Sequence, residues 1–161
     1  MHRHDRRCIT AREKLAAFKG TEAALLFNSG YAANTGTLGT LLQAGDNVFE
    51  DRLNHASLID AARLSRARLR RYAHGDMEGL EDRLEQAQDG ERMILTDGVF
   101  SMDGDLAPLE GLAELAGRHQ AWLTVDDAHG LGVLGAEGRG SLDHFGLGAD
   151  AVPVLVGTLG K

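Results

Sequence analysis

The sequence predicts an α/β domain in three layers, helices on both faces of a mostly parallel sheet. Short apolar runs alternate with segments of helical spacing along most of the chain, the order that βαβ units produce. Trp122 to Val125 reads as a short strand buried on both faces, as parallel strands are. Glycine makes up 21 of 161 residues against two prolines. That is about twice the average usage of roughly 7%, and it suits tight turns and loops that approach a ligand rather than disorder.

Length and composition set the bounds. The 161 residues suffice for one ordinary domain, and 43% apolar residues allow a sizeable core. A net charge of −7 argues against a nucleic-acid or anionic-membrane surface. Arg63, Arg66, Arg68, Arg70 and Arg71 form a local basic cluster, read as a solvated helix-to-strand face. Cys8 is the only cysteine, which excludes an intrachain disulfide and fits a reducing, cytoplasmic compartment. The charged start, Met1-His-Arg-His-Asp-Arg-Arg7, lacks the apolar core of a signal peptide, and no apolar run is long enough to span a bilayer.

Taken in order, residues 1–10 lack apolar periodicity and are expected to fray. Arg12 to Lys19 is an amphipathic helix with Leu15, Ala16 and Phe18 apolar and Gly20 as its C-cap. Ala23 to Phe27 is an apolar run that Asn28-Ser-Gly-Tyr31 breaks, and Ala32 to Leu42 is a helix. Ser29 is a good N-cap for it, and Gly30 lets a bound group approach a helix start that suits a phosphate. Asn47 to Glu50 is a strand, Ala56 to Leu64 a helix and Arg68 to Tyr72 a strand. Leu80, Leu84 and Ala87 give Met77 to Gln88 helical spacing, and Met93 to Thr96 is a strand. After the polar loop Val99 to Asp105, a helix runs from Pro108 to about His119 and leads into the Trp122 strand. Ser141 to Phe145 is a single helical turn, and Ala151 to Val156 is the last strand.

Chemistry gathers where strands end. Asn28 and Ser29, His55, Asp126 with His129, and Lys161 all follow predicted strands, and in a parallel sheet those tips share one edge. A phosphate-ready helix start, an acid, two imidazoles and an amine would meet there. Pyridoxal phosphate uses all of them: a lysine for its Schiff base, a carboxylate for its pyridinium nitrogen and an anion cradle.

Five motifs then make the sequence recognisable. Phe-Asn-Ser-Gly-Tyr-Ala-Ala-Asn34, Asp-Arg-Leu-Asn-His-Ala-Ser57, Thr-Asp-Gly-Val-Phe-Ser-Met-Asp-Gly-Asp105, Val-Asp-Asp-Ala-His-Gly130 and Gly-Thr-Leu-Gly-Lys161 occur in that order. Together they resemble the α-oxoamine synthases, pyridoxal-phosphate enzymes with the aspartate aminotransferase fold (fold type I). The resemblance implies that residues 12–161 are part of the cofactor-binding large domain, incomplete here, after a poorly ordered segment 1–11. It implies that Lys161 forms the Schiff base and later moves the substrate α-proton. Asp126 would partner the ring nitrogen, His129 the phenolic oxygen, and His55 would stack on the ring. Ser101 would lie beside the cofactor. Gly30 and Tyr31 would give backbone N–H groups to the phosphate after the Ser29 cap, and Thr158 its hydroxyl.

Asp-Ala-His-Gly130 and Phe-Lys-Gly-Thr-Glu-Ala23 look most like the branch of biotin biosynthesis that condenses L-alanine with a pimeloyl thioester, of acyl carrier protein or coenzyme A. The alternative branch, the glycine C-acetyltransferases, more often has Asp-Ser-His-Ala. Family members are homodimers with sites at the subunit boundary, so self-association is expected, with no nucleic-acid or membrane partner. The family's small C-terminal domain, with an arginine for the substrate carboxylate, and its N-terminal arm are not among these residues. Impaired turnover, or a remnant that keeps only the cofactor fold, is therefore an expectation for these 161 residues alone. Two rival readings are weaker. Gly130-Leu-Gly-Val-Leu-Gly135 matches a dinucleotide fingerprint, but Asp126 to His129 separate it from the strand. A metal site on Asp126 and His129 lacks a third ligand at a recognisable spacing, so no metal is expected.

Overall fold

The computed structural model describes residues 3–160, with side chains from Cys8 onward. Its sheet has five strands: β1 (Asn47–Asp51), β2 (Arg68–Tyr72), β3 (Arg92–Asp97), β4 (Trp122–Asp126) and β5 (Val154–Val156). The order is β2-β1-β3-β4-β5, and every pairing is parallel. All five carboxyl ends therefore lie on one edge. The helices are α1 (Arg3–Lys19), α2 (Gly30–Leu41), α3 (Ala56–Leu64), α4 (Met77–Glu85), α5 (Leu109–Arg118) and the single turn α6 (Ser141–His144).

Period-two alternation in the strands separates two cores. Phe49, Ile94, Leu123 and Val125 pack with Leu80 and Leu84 of α4 and with Leu109, Leu112 and Leu115 of α5. Val48, Met93 and Leu95 face the other way, onto Leu38 and Leu42 and onto Leu58, Ala61 and Ala62 of α3. This is the expected three-layer arrangement. It explains why the central strands β3 and β4 carry apolar residues on both faces: both faces are covered.

The structure departs from the sequence reading in several places. The first helix starts at Arg3 rather than Arg12. Its Arg, Glu, Lys and Ala residues are good helix formers, and propensity needs no apolar stripe. Gly20 ends it as expected: at φ 68° it lets Thr21 N–H donate to the Ala16 carbonyl, 3.0 Å. The apolar run 23–27 joins no strand ladder, so Asn28 and Ser29 do not follow a sheet strand, and Leu25 is 71% exposed. Trp122 is half exposed at the amino end of β4, where only one face is covered. β5 is confined to Val154–Val156, because Pro153 has no N–H for a ladder. Helix α4 stops at Glu85, short of Gln88. No helix among the described residues is long and apolar enough to cross a membrane.

Candidate functional site

The carboxyl edge of the sheet gathers its polar groups around Asp126, the last residue of β4. Its side chain is buried, so the carboxylate needs donors. Oδ1 accepts from Ala128 N–H at 3.0 Å and Oδ2 from Asn34 Nδ2 at 2.7 Å. Asn34 is fully buried one turn into α2, and its amide also donates to Ser57 Oγ at 2.8 Å.

The chain of donors continues to His55. Ser57 N–H points at His55 Nδ1, 3.2 Å away, so Nδ1 is an acceptor and the neutral ring carries its proton on Nε2. Ser57 Oγ, 2.7 Å from the same nitrogen, must then donate to it. The direction of each bond follows: Asn34 donates to both Asp126 and Ser57, and Ser57 donates to His55. His55 is also the N-cap of α3, and its backbone N–H donates to Asp97 Oδ2 at 3.0 Å. An exposed ring is thus fixed from below by a buried chain that ends on the β4 carboxylate.

The start of α2 adjoins the same edge. Ser29 caps it, with Oγ accepting from Ala32 N–H at 3.1 Å and its carbonyl accepting from Ala33 N–H. The N–H groups of Gly30 and Tyr31 are left without intrahelical partners. A Cβ on Gly30 would sit 3.4 Å from Thr158 Cγ2, so the helix start and the segment after β5 touch. Thr158 Oγ1 in turn donates to the Ala128 carbonyl at 3.4 Å. The Tyr31 hydroxyl turns away, donating to Asp60 at 3.1 Å. That hydrogen bond is the main reason the phenol titrates above its ordinary value, and the charge of Asp60 adds to the rise.

Asp127 faces the opposite way from Asp126. It accepts twice from Ser141 N–H, at 3.2 and 3.0 Å, and so ties the glycine-rich loop 130–140 to the tip of β4. Burial raises its carboxyl above the ordinary range, while the Ser141 bonds and Lys19 oppose the shift. Lys19 Nζ reaches the Arg139 carbonyl on the same loop. This loop forms turns and a short 3-10 segment, Ala136–Gly138, instead of opening a long helix. The dinucleotide reading of Gly130 to Gly135 has no strand-turn-helix to stand on.

Of the residues singled out in the sequence, Ser29, Gly30, Tyr31, His55, Asp126 and Thr158 are brought to one edge. His129 lies three residues past Asp126, partly buried. Ser101 is exposed in the loop after β3 and hydrogen-bonds to none of them. Lys161 lies outside the described residues. Asn34 and Ser57 were missed as functional side chains although both fall inside the five motifs. The available signal was Asn34 itself, a poor helix former placed inside a helix.

The sheet thus carries a carboxylate, an imidazole and a free helix start on its carboxyl edge. The chain belongs to the aminotransferase class I and II family, whose model matches residues 7–161. It is 64% identical over 149 residues to the 8-amino-7-oxononanoate synthase of Methylococcus capsulatus, covering 92% of this chain and 38% of that one. The enzyme of the same name from Thioalkalivibrio sulfidiphilus is 60% identical over 159 residues, covering 98% and 41%. The chain thus spans about two fifths of these relatives. Among solved structures, Sphingomonas wittichii serine palmitoyltransferase superposes with a TM-score of 0.91 at 35% identity, over 100% of this chain and 40% of that one. The 8-amino-7-oxononanoate synthase of Francisella tularensis does so at 0.84 and 36%, over 96% and 44%. The serine palmitoyltransferase of S. paucimobilis, solved with a bound PLP–myriocin aldimine, matches at 0.88 and 35%, over 93% and 38%.

Proposed function

We propose that this chain is the cofactor-binding part of an α-oxoamine synthase, that it binds pyridoxal phosphate, and that the whole enzyme is an 8-amino-7-oxononanoate synthase. The reaction joins L-alanine to a pimeloyl thioester with loss of the thiol and of carbon dioxide. A cytoplasmic homodimer completes the reading. The observation that carries it is Asp126: a buried carboxylate at a strand tip, held by Asn34 and Ala128 and linked through Ala128 and Thr158 to the free start of α2. Names shared by relatives up to 64% identical support the reaction.

The residues fit the group. A pyridinium N–H needs a carboxylate acceptor that cannot swing away, and two donors fix this one. A phosphate needs donors and close backbone approach, which Gly30, Tyr31 and Thr158 supply. When bound, the cofactor supplies an electron sink for a carbanion beside the substrate nitrogen.

The chain's own groups divide the remaining work. Asp126 keeps a proton on the ring nitrogen and so preserves the sink. His55, its ring fixed by Ser57, covers one face and excludes water from it. His129 would hydrogen-bond to the phenolic oxygen, and Ser101 would lie beside the cofactor. Lys161 would hold the cofactor through its amine, and that amine, once free, would take the α-proton of L-alanine.

Titration of the chain with pyridoxal phosphate tests this. A visible absorbance band is expected, with borohydride fixing the label on Lys161 in a peptide digest. Lys161→Ala removes the band, and Asp126→Asn shifts it and weakens binding. A wild-type chain that develops no band, or one labelled evenly over its lysines, sinks the proposal.

A further inference from the structure

His74 lies two residues beyond β2, outside every motif used so far. Its Nδ1 is 3.0 and 3.1 Å from the two oxygens of Asp51, the last residue of β1. Its Nε2 is 2.8 Å from Asp105 Oδ2, on the loop that carries Ser101. The ring also meets Phe100 edge-on, with centroids 4.5 Å apart at 87°.

The two carboxylates differ in how they are held. Asp51 is buried, and its other contacts are Leu53 N–H at 2.8 Å and Gly75 N–H at 2.9 Å, so the sheet edge fixes it. Asp105 has a side chain 41% exposed, on a loop whose Phe100 ring is buried in the core and whose hydrogen bonds are mostly its own: Phe100 N–H to Asp105 O, Gly104 N–H to Phe100 O, and a bridge between Val99 and Leu106. Among the described residues, His74 makes the only side-chain hydrogen bond from residues 99–106 to another element.

We propose that His74 is a positioning residue that pins the 99–106 loop, and with it Ser101, to the carboxyl edge of the sheet. Ser101's place beside the cofactor rests on the reading above. The pin itself does not.

Both ring nitrogens face carboxylates, so both must donate, and the bridge requires the imidazolium. Loss of one proton turns a donor into a lone pair aimed at an anion. Asp51 and Asp105 are the charged groups that face the ring. Partial burial opposes protonation, but the hydrogen bonds and charges of these two aspartates outweigh it and raise the His74 pKa above its ordinary 6.5. A group raised in the folded state contributes fully below its unfolded pKa and loses that contribution as pH rises through the folded one. The pin holds in acid and releases in base.

Amide hydrogen exchange on the cofactor-free chain, corrected for intrinsic rates, tests it at about pH 6 and about pH 9. In wild type, protection of the 99–106 peptides is expected to fall severalfold between the two. His74→Gln is expected to lower it by the same severalfold factor at the acid end, leave β4 unchanged, and match wild type at the alkaline end. Wild-type protection in His74→Gln at acid pH, or a loss spread evenly through β3, β4 and α5, overturns the proposal. Asp105→Asn, a surface change, covers the case in which His74→Gln fails to fold. An amide can face either protonation state, so the pH step should flatten; an unaltered step overturns the pin. Failure here leaves the absorbance titration untouched, and failure there leaves the exchange result standing.

Discussion

Asn34 on α2 donates to Asp126 at the tip of β4 across 2.7 Å, and its second amide hydrogen goes to Ser57 Oγ at 2.8 Å. One buried amide therefore sets both the acid proposed for the ring nitrogen and, through Ser57, the imidazole of His55. Asn34→Ala leaves a buried carboxylate short of a donor, and that costs about 1–3 kcal/mol. Urea denaturation should show this loss, and titration should show weaker pyridoxal phosphate binding. Ser57→Ala should spare stability more, because the two bonds lost, from Asn34 and to His55, join neutral groups, yet it should still free the His55 ring. Full stability and full affinity in Asn34→Ala would remove the amide from the site.

Gly140, at φ 96°, lies where a Cβ would overlap the carboxylate of Asp127. Positive φ and the clash add, so Gly140→Ala should cost on the order of 2–3 kcal/mol. Gly146, at φ 68°, has open space for 4 Å around the place a methyl would take, and so isolates the backbone part. Gly146→Ala should cost about 1 kcal/mol. Thermal melts of the two variants give the comparison, and equal shifts would mean that Asp127 moves aside freely.

The fold was legible because the burial of each strand is written in its own residues. Ala56–Leu64 and Arg68–Tyr72 have in the structure the bounds read from the sequence. Local rules suffice there: an apolar stripe and a strand between turn residues. The run 23–27 misled because five apolar residues announce burial, not the partner that would provide it. In the site, His55 and Asp126 stood out as charged or titratable groups at strand tips. Asn34 and Ser57 did not, since their role exists only where α2, α3 and β4 meet, and nothing in either local stretch encodes that meeting. The Asp51–His74–Asp105 bridge was hidden for the same reason: three elements supply it.

Glu50, next to last in β1, is fully buried, and neither carboxylate oxygen has a hydrogen-bond partner among the described residues. Burial pushes its pKa up to about 7; Arg71 and Arg63 pull the other way, and Asp97 adds to the rise. A carboxyl raised in the folded state binds more protons folded than unfolded, so stability falls as pH climbs from about 4.5 through about 7. Glu50→Gln removes that dependence. It should stabilise the chain by on the order of 1–3 kcal/mol near pH 8 and change little in acid. Urea midpoints at the two pH values test it, and an equal effect at both would point to packing instead of ionisation.

Leu25, Leu26 and Phe27 are 71, 44 and 43% exposed in a stretch that joins no ladder. β5, at the end of the sheet, is paired on one side only. Contiguous exposed apolar side chains together with a free strand edge favour association between chains. Leu25→Lys adds a charge to the stretch without touching either core, so it should lower light scattering and slow sedimentation at high concentration. Leu64, 68% exposed at the end of α3, is an isolated apolar residue and serves as the control. Leu64→Lys should leave association nearly unchanged, because a single exposed leucine offers no patch. If the two substitutions lower scattering equally, residues 25–27 have no special part in it.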